Sequence, residues 1–213
     1  MDEPDAFDQW PDYLPGPRND LLALGVIALN YGRLENIFRI IFAMVSGMSE
    51  AQVTAIFARI NNRLREDIFE QLLATQTFPE GLIDLIRHWL AGYMICAENR
   101  NAVMHSHHGG IHSGARGTEG IVLSKFSRAG SRFSYFAHAK ALRAIADAID
   151  HQGNFGEQVM LEIAGFQLCE RQKRPRDFGQ FPLPEKPRLP EALNWLPHSD
   201  LRVDPRPPES SPG

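Results

Sequence analysis

Large apolar residues recur at helical spacing through most of the first hundred residues. Ile27, Leu34, Phe38, Ile41 and Val45 lie three, four or seven residues apart, which places them on one face of an α-helix. We predict a first helix that starts near residue 19 or 20, either of which can cap it, and ends about residue 45, before a glycine. Stripes of this kind are buried against one another in an all-α helical bundle, which is the fold class we expect.

Polar and proline residues divide the following region into further helices. A second helical region is predicted over residues 49–73, with Ser49 as its N-cap and a kink or break at residues 61–62. A third begins at Pro79, because proline is favoured in the first turn of a helix. This helix leads into the polar segment 98–105, and the glycine pair at residues 109–110 is predicted to stop it.

The sequence pattern changes after the third helix. A glycine-rich loop is predicted over residues 109–120, followed by two short β-like apolar runs on either side of a turn. This pattern predicts a small β-hairpin insertion at about residues 120–137. Two further helices are predicted, over residues 139–149 and 155–169.

Proline distinguishes the two ends of the chain from its centre. Ten of the 15 prolines lie at or beyond Pro175, so residues 171–213 are predicted to form a Pro-rich tail that is extended or disordered. Residues 1–18 are acidic, contain four prolines and are predicted to be irregular. One helical domain, residues 19–170, is expected between them. Within the tail, Trp195 and Leu196 are candidates for docking onto a surface.

Composition limits the classes of protein. The 213 residues, 43% of them hydrophobic, suffice for one sizeable core. A net charge of -4 and a pI of about 6.1 exclude a strongly basic protein that coats nucleic acid non-specifically. The acidic N-terminus lacks the features of a signal peptide, and no apolar run has the length of a membrane span. We therefore expect a cytoplasmic protein that does not associate with a membrane.

The two cysteines, Cys96 and Cys169, both lie among apolar residues. This position is typical of buried thiols in a reducing compartment. A disulfide between them and a nucleophilic role for Cys96 are the alternatives.

The most informative segment is the polar end of the third helix. Arg100 lies seven residues after Tyr93 and so continues its apolar stripe, where a cation needs an anionic partner or a neighbouring helix. Asn101 and His105 are four residues apart and share one face. Arg100 and His105 are about 140° apart on an ideal helix. We therefore predict that one chain does not aim both at one point, which favours a homodimer with a shared cleft.

This segment resembles the signature of the HEPN superfamily, in which an Arg-Asn-x-x-x-His motif closes the third helix of a bundle. Residues 28–35 are similar to the opening helix of that family, and residues 57–65 are similar to the second-helix region of a subgroup. The resemblance covers about residues 19–168. Two positions depart from the family pattern: Ser106 stands where many members have glycine, and His107 stands where some toxin members have tyrosine.

The resemblance implies a helical bundle that dimerises around the motif. Many members are metal-independent ribonucleases, often toxins or phage-defence effectors, so RNA would be the substrate and no cofactor is expected. An antitoxin or regulatory protein would be a further partner. Carried over to this chain, Arg100 and His105 would be the catalytic pair, and Asn101 would support them.

These residue types suit RNA cleavage, in which the 2′-OH attacks the adjacent phosphate. Imidazole, with an ordinary pKa of roughly 6.5, exchanges protons near neutral pH. Arginine is a permanent cation that binds phosphate through two N–H groups. Asn101 would orient the imidazole or bind a phosphate oxygen. Two copies of His105 in a dimer would divide the roles of acid and base.

Other residues are weaker candidates for the site. Asn30 and Glu35, from the first helix, are candidates for substrate binding, although a solvated helix face explains them as well. His107 and His108 are candidates for assisting at the phosphate. With His105 and His112 they also form a histidine cluster of the kind that binds zinc, but no nearby acidic residue or cysteine completes a ligand set, so no metal is predicted.

Three alternatives to a catalytic site remain open. The motif is also explained as an ordinary helix C-terminus, where cations meet the helix dipole. The basic patch of Arg59, Arg63 and Arg65 is explained by surface ion pairs with neighbouring carboxylates or by contact with RNA phosphate. A non-catalytic HEPN-like dimer that binds a partner protein or RNA is the alternative to the enzyme.

Overall fold

The structure is a computed structural model that describes residues 18–113, 119–127, 129–174, 182–201 and 204–205. Five helices account for most of the described part of the chain. They are α1 Arg18–Ser46, α2 Glu50–Phe57, α3 Asn62–Ala74, α4 Glu80–His105 and α5 Ala139–Arg171. Three strands form an antiparallel sheet: β1 His107–Ser113, β2 Glu119–Phe126 and β3 Arg132–Ala137. The fold is therefore mainly a helical bundle with a small sheet beside it.

Two-residue strands extend this sheet at both edges. Leu196–Pro197 (β4) pairs with β3 and Asp204–Pro205 (β5) pairs with β1, which gives the order β4-β3-β2-β1-β5. The predicted hairpin is confirmed as β2 and β3. The predicted glycine-rich loop over residues 109–120 is wrong for residues 109–113, which belong to β1, and for residues 119–120, which belong to β2. Residues 114–118 lie outside the described residues. Accordingly α4 ends at His105, before the glycine pair that we expected to stop it.

Local capping signals placed the first helix ends correctly. Gly47 has a φ of 69°, and its N–H donates to the Ala43 carbonyl oxygen over 2.9 Å, which ends α1. Ser49 and Gln52 form a capping box at the start of α2. Asn61 caps α3 by accepting a hydrogen bond from the Leu64 N–H over 3.0 Å. The predicted break at residues 61–62 is thus a helix start.

The last helix is longer than predicted. Residues 139–171 form one continuous helix, where we predicted two, over residues 139–149 and 155–169. The reason is tertiary contact: Gln152, in the predicted gap, is buried and its Nε2 donates to the Trp89 carbonyl oxygen over 2.7 Å. Just after the gap, a Cβ atom at Gly156 would lie 2.5 Å from Trp89 Nε1 and 2.8 Å from Ile37 Cγ2. Tertiary contact with α1 and α4 therefore outweighs the low helix propensity of glycine, which costs only about 1 kcal/mol.

Gly156→Ala is expected to destabilise the protein, because the added methyl group overpacks the contact with Trp89 and Ile37. We expect a loss of about 1–3 kcal/mol in the free energy of unfolding, measured by urea denaturation. Gly25→Ala is the matched control, since Gly25 lies in α1 with no atom within 4 Å of its would-be Cβ. There alanine should stabilise by about 0.5–1 kcal/mol. Equal effects at both glycines would contradict this account.

The core lies where α1, α3 and α4 meet, with α5 packed along α1. Phe38 is its centre: its ring centroid lies 4.6 Å from that of Tyr93, 5.5 Å from Phe69 and 5.7 Å from Trp89. Phe38, Phe69, Trp89 and Tyr93 are fully buried. Because Tyr93 belongs to this cluster, the C-terminal turns of α4 are fixed relative to α1.

Part of the Pro-rich tail lies against the bundle. Residues 182–195, here called the strap, contain no helix or strand, and their contacts with α4 advance in the same direction as that helix. Lys186 pairs with Asp84, and His88 Nε2 lies 2.7 Å from the Pro187 carbonyl oxygen. Residues 1–17 of the predicted irregular segment lie outside the described residues, and Arg18 is already helical.

None of the helices in the described part of the chain is by itself long and apolar enough to cross a membrane. Only α1 and α2 taken together reach the required length and composition, and they are bent by 119° at their junction.

Candidate functional site

The polar end of α4 opens into a pocket of about 490 Å³. Three helices contribute to it: the second half of α1, the first turn of α3 and the last two turns of α4. The residues that line it are Tyr31, Glu35, Asn61, Asn62, Arg63, Arg65, Arg100 and Asn101. Three guanidinium groups stand against one carboxylate in this lining, so the pocket is cationic.

Arg100 is the central cation of this site. Its Nη1 donates to Asn101 Oδ1 over 3.0 Å and lies 3.3 Å from His105 Nε2. Its guanidinium carbon lies 5.1 Å from the centroid of the Tyr31 ring, a cation–π contact. No carboxylate within the described residues pairs with Arg100, and its buried Nε has no hydrogen-bond partner. The cation is therefore available to an anionic ligand.

The contact between Arg100 and His105 corrects one prediction. We expected that one chain would not bring them together, because they leave the helix about 140° apart. That angle describes the Cα–Cβ directions, and the long arginine side chain bends across the last turn to reach the imidazole. The pair is thus formed within one chain, and the geometric argument for a shared cleft is lost.

His105 is exposed at the end of α4. A guanidinium group has only donors, so a hydrogen bond from Arg100 requires Nε2 of His105 to accept. The lone pair of Nε2 therefore points at the Arg100 cation, and it can serve as a general base beside a phosphate once that guanidinium turns to the phosphate oxygens.

Two tyrosines and an asparagine form the wall behind Arg100. Asn62 Nδ2 donates to the Tyr31 hydroxyl over 3.3 Å, and that hydroxyl lies 3.3 Å from the Tyr93 hydroxyl. Burial, together with the neighbouring Tyr31, raises the pKa of Tyr93 far above its usual value. Tyr93 is thus a neutral phenol at physiological pH and acts here as a hydrogen-bonding group.

Arg65 is the second fixed cation. Its Nη1 donates to Glu35 over 2.8 Å and to Asn62 Oδ1 over 2.9 Å, and its Nη2 donates to the Phe57 carbonyl oxygen. Only 11% of its side chain is exposed. The prediction of surface ion pairs with neighbouring carboxylates is wrong for Arg65, because its partner Glu35 lies on another helix. These bonds hold α3 against α1 and shape one side of the pocket.

The other predicted residues are only partly brought together. Glu35 lines the pocket with Arg100 and Asn101. Asn30 does not: its Nδ2 donates to the Ala146 carbonyl oxygen on α5 over 3.2 Å. The ring of His107 faces Phe126 at 6.0 Å and does not line the pocket. The side chain of His108 lies outside the described residues.

Sequence reasoning missed the role of Asn62 and the position of Arg63. Asn61 and Asn62 could have indicated this, since a helix N-terminus beside a basic patch is a place where an anion can bind. We used that signal only for the helix boundary.

No group of three or more potential metal ligands comes together within the described residues. Of the histidine cluster considered above, the side chains of His108 and His112 are not among those residues.

The cysteines are not joined. Both are free, Cys96 is buried and Cys169 is half-buried, so the expectation that both are buried is wrong for Cys169. Burial raises the pKa of the Cys96 thiol to about 12. Since the thiolate is the nucleophile, this burial argues against a catalytic Cys96.

A thiol reagent at pH 8 is therefore expected to modify one cysteine per folded chain, Cys169, and both after denaturation. The raised pKa keeps Cys96 protonated until the pH approaches 12. Colorimetric thiol counting measures this, and Cys169→Ser should remove the fast reaction. Fast labelling of Cys96 in that variant would contradict the buried position.

No family model, no curated protein and no solved structure matches this chain.

Proposed function

We propose that this chain is a metal-independent endoribonuclease of the HEPN type that acts as a homodimer, in the class that contains toxins and phage-defence effectors. The observation that carries the proposal is the Arg100–His105 pair at the mouth of the cationic pocket. A guanidinium group without a carboxylate partner and an imidazole nitrogen that accepts a hydrogen bond lie 3.3 Å apart. The motif that resembles the HEPN signature is therefore also the one that assembles this chemistry.

The chemistry needs no group from outside the protein. Once the Arg100 guanidinium turns from Nε2 to the phosphate, His105 Nε2 takes the proton of a ribose 2′-OH, and the 2′-oxygen forms a bond to the adjacent phosphorus. The bond from phosphorus to the 5′-oxygen breaks, and that oxygen receives a proton from an acid. Arg100 stabilises the negative charge on the phosphoryl oxygens. The products are a 2′,3′-cyclic phosphate and a 5′-OH.

One of the remaining pocket cations suits a flanking phosphate. Arg63 and the N-cap residue of α3, Asn61, line the same pocket as Arg100, whereas Arg65 is held by Glu35. Arg63 has no ion pair with any described residue. An RNA backbone carries one negative charge per nucleotide, so Arg63 suits a phosphate next to the one held by Arg100.

The dimer supplies the second imidazole. One chain contributes one His105, which serves as base, whereas cleavage also needs a proton donor. A second chain brings the second His105. Exposed leucines on α1 and α5, including Leu22, Leu29 and Leu161, leave apolar surface for association. Sedimentation equilibrium should give the mass of two chains, and a fully active monomer would contradict this part of the proposal.

The experiment that tests the function is digestion of single-stranded RNA in the presence of a chelator. Wild-type protein should release fragments that end in 2′,3′-cyclic phosphate, and His105→Ala and Arg100→Ala should not. Cleavage that both variants retain would contradict the proposal. RNA binding without cleavage by the wild type would contradict its catalytic part.

A further inference from the structure

A second pocket lies on the other side of Asn101. It has a volume of about 510 Å³ and is formed by the C-terminal turns of α4, strand β2 and the strap. Glu98, Asn101, Lys125 and Trp195 contribute its polar and aromatic lining. Asn101 lines this pocket and the cationic pocket alike, so the two are neighbours on either side of that residue.

Hydrogen bonds hold one wall of this pocket, the strap, in a fixed position relative to the candidate catalytic residues. Asn99 is buried, and its Nδ2 donates to the Glu191 carbonyl oxygen over 2.8 Å. Its Oδ1 accepts a hydrogen bond from the Leu193 N–H over 3.0 Å. Since Asn99 directly precedes Arg100, the strap has a fixed position relative to Arg100, and Trp195 follows two residues after the second anchor.

Trp195 presents a large aromatic surface here. The Lys125 ammonium lies 4.2 Å from the centroid of its ring, and the Tyr135 ring lies 6.0 Å away at a tilt of 49°. The indole is only half-buried and Lys125 is exposed. A planar ligand that carries negative charge can therefore stack on the indole when Lys125 moves off the ring to pair with that charge.

The hydrogen-bonding groups in the pocket are also free. Glu98 is exposed, and its carboxylate has no ion-pair partner within the described part of the chain. Asn101 uses its Oδ1 for Arg100, so its NH₂ group can donate elsewhere. A carboxylate acceptor and an amide donor beside an aromatic ring match the edge and the face of a nucleobase.

We infer that this second pocket binds a nucleobase of single-stranded RNA next to the phosphate held by Arg100. The base stacks in contact with Trp195, Lys125 pairs with the adjoining phosphate, and Glu98 and Asn101 read the edge of the base. This inference rests on the proposed function and adds where on the protein the base is recognised and which residues recognise it. The tail segment is thereby part of the substrate site.

The test uses the full chain with His105→Ala, to prevent cleavage, and Trp10→Phe, to remove one of three tryptophans. Of the two that remain, Trp89 is fully buried, so a quench by ligand reports Trp195. The probes are 2′-O-methyl octanucleotides of uridine, adenosine, cytidine or guanosine and an abasic octamer of equal charge. Fluorescence anisotropy of labelled probes measures affinity independently.

We expect the octanucleotides to quench the tryptophan fluorescence and the abasic octamer not to. Trp195→Ala should weaken binding of the octanucleotides by about tenfold, with little change for the abasic octamer. Glu98→Gln should change the order of preference among the four bases. Trp195→Phe retains an aromatic ring for stacking, and Leu196→Ala is the matched control on the same segment. Both should bind nearly as the parent does.

The outcomes separate this inference from the proposed function. Octanucleotides that bind without a quench, or an equal loss for abasic and base-containing probes, would overturn the base subsite while cleavage by the wild type stands. A base-dependent quench supports the subsite even if the wild-type chain does not cleave. Absence of binding in anisotropy would overturn the subsite and the function together.

Discussion

His105→Ala is expected to lower the rate of RNA cleavage by about 10²–10⁴-fold, the range that a positioned general acid or base contributes. The imidazole is exposed and has one resolved polar contact, to Arg100, so its loss should leave the fold unchanged. The affinity for uncleavable RNA should remain within a few-fold of the parent value. A fall in rate without a fall in affinity would identify a residue that acts in the transition state.

Arg100→Ala is expected to lower the rate of RNA cleavage by about 10²–10³-fold and also to weaken RNA binding. Arg100→Lys should not rescue the rate, because an ammonium group cannot give the two parallel N–H donors of a guanidinium. It should recover part of the affinity, since the charge is kept. Single-turnover cleavage of an end-labelled RNA in chelator measures both variants.

Two matched controls separate site chemistry from the loss of a histidine or of a positive charge. His151→Ala removes an exposed histidine from α5, and Arg143→Ala removes an arginine whose side chain is 81% exposed. Neither lines the cationic pocket, so both should cleave at the parent rate. If the controls lost as much activity as His105→Ala and Arg100→Ala, the assigned roles would be wrong.

Arg65→Ala is expected to lower the free energy of unfolding by about 2–4 kcal/mol, because it leaves Glu35 and the Phe57 carbonyl oxygen without their partner. The nearly buried guanidinium also stacks 4.5 Å from the centroid of the Phe57 ring. Urea denaturation followed by circular dichroism gives the change. RNA affinity should fall as well, since one wall of the pocket loosens and a cation is lost.

Arg87→Ala supplies the comparison for this effect. Arg87 pairs with Glu70 over 3.0 Å between two helices, much as Arg65 pairs with Glu35, but 51% of its side chain is exposed. Its loss should cost at most about 1 kcal/mol. A double-mutant cycle of Arg65→Ala with Glu35→Ala should give a coupling free energy larger than that of the Arg87–Glu70 pair. Similar costs at both arginines would contradict the structural role of Arg65.

Local signals in the sequence located most helix ends. Gly47, Ser49, Asn61 and Pro79 each act through the backbone groups of their own turn, so no knowledge of distant contacts is needed. The hairpin at β2 and β3 followed in the same way from local apolar patterning. Signals of this kind failed where a distant partner decided, as at residues 150–154, where Gln152 is hydrogen-bonded to Trp89 and α5 continues unbroken.

The candidate site, too, was predictable where its residues are close in sequence and not where distant contacts decided. The motif from Arg100 to His105 is visible in the sequence, because its residues are close along one helix and their types limit the chemistry. Which charges meet there depended on packing: Arg65 reaches Glu35 on another helix, while Asn30, on the same helix as Glu35, turns toward α5. Helix periodicity gives directions on one element and carries no information about the rotation of its neighbours.

Residue order alone thus established a helical chain with a conspicuous polar ending to its α4 helix. Tertiary structure alone decided that Tyr31 of α1 packs against Arg100, that no described carboxylate neutralises Arg100, and that the strap brings Trp195 beside Asn101. The physical reason is the separation along the chain over which each interaction acts. Capping and periodicity act within a few residues, whereas the electrostatic environment of a side chain depends on groups that folding brings in from distant parts of the chain.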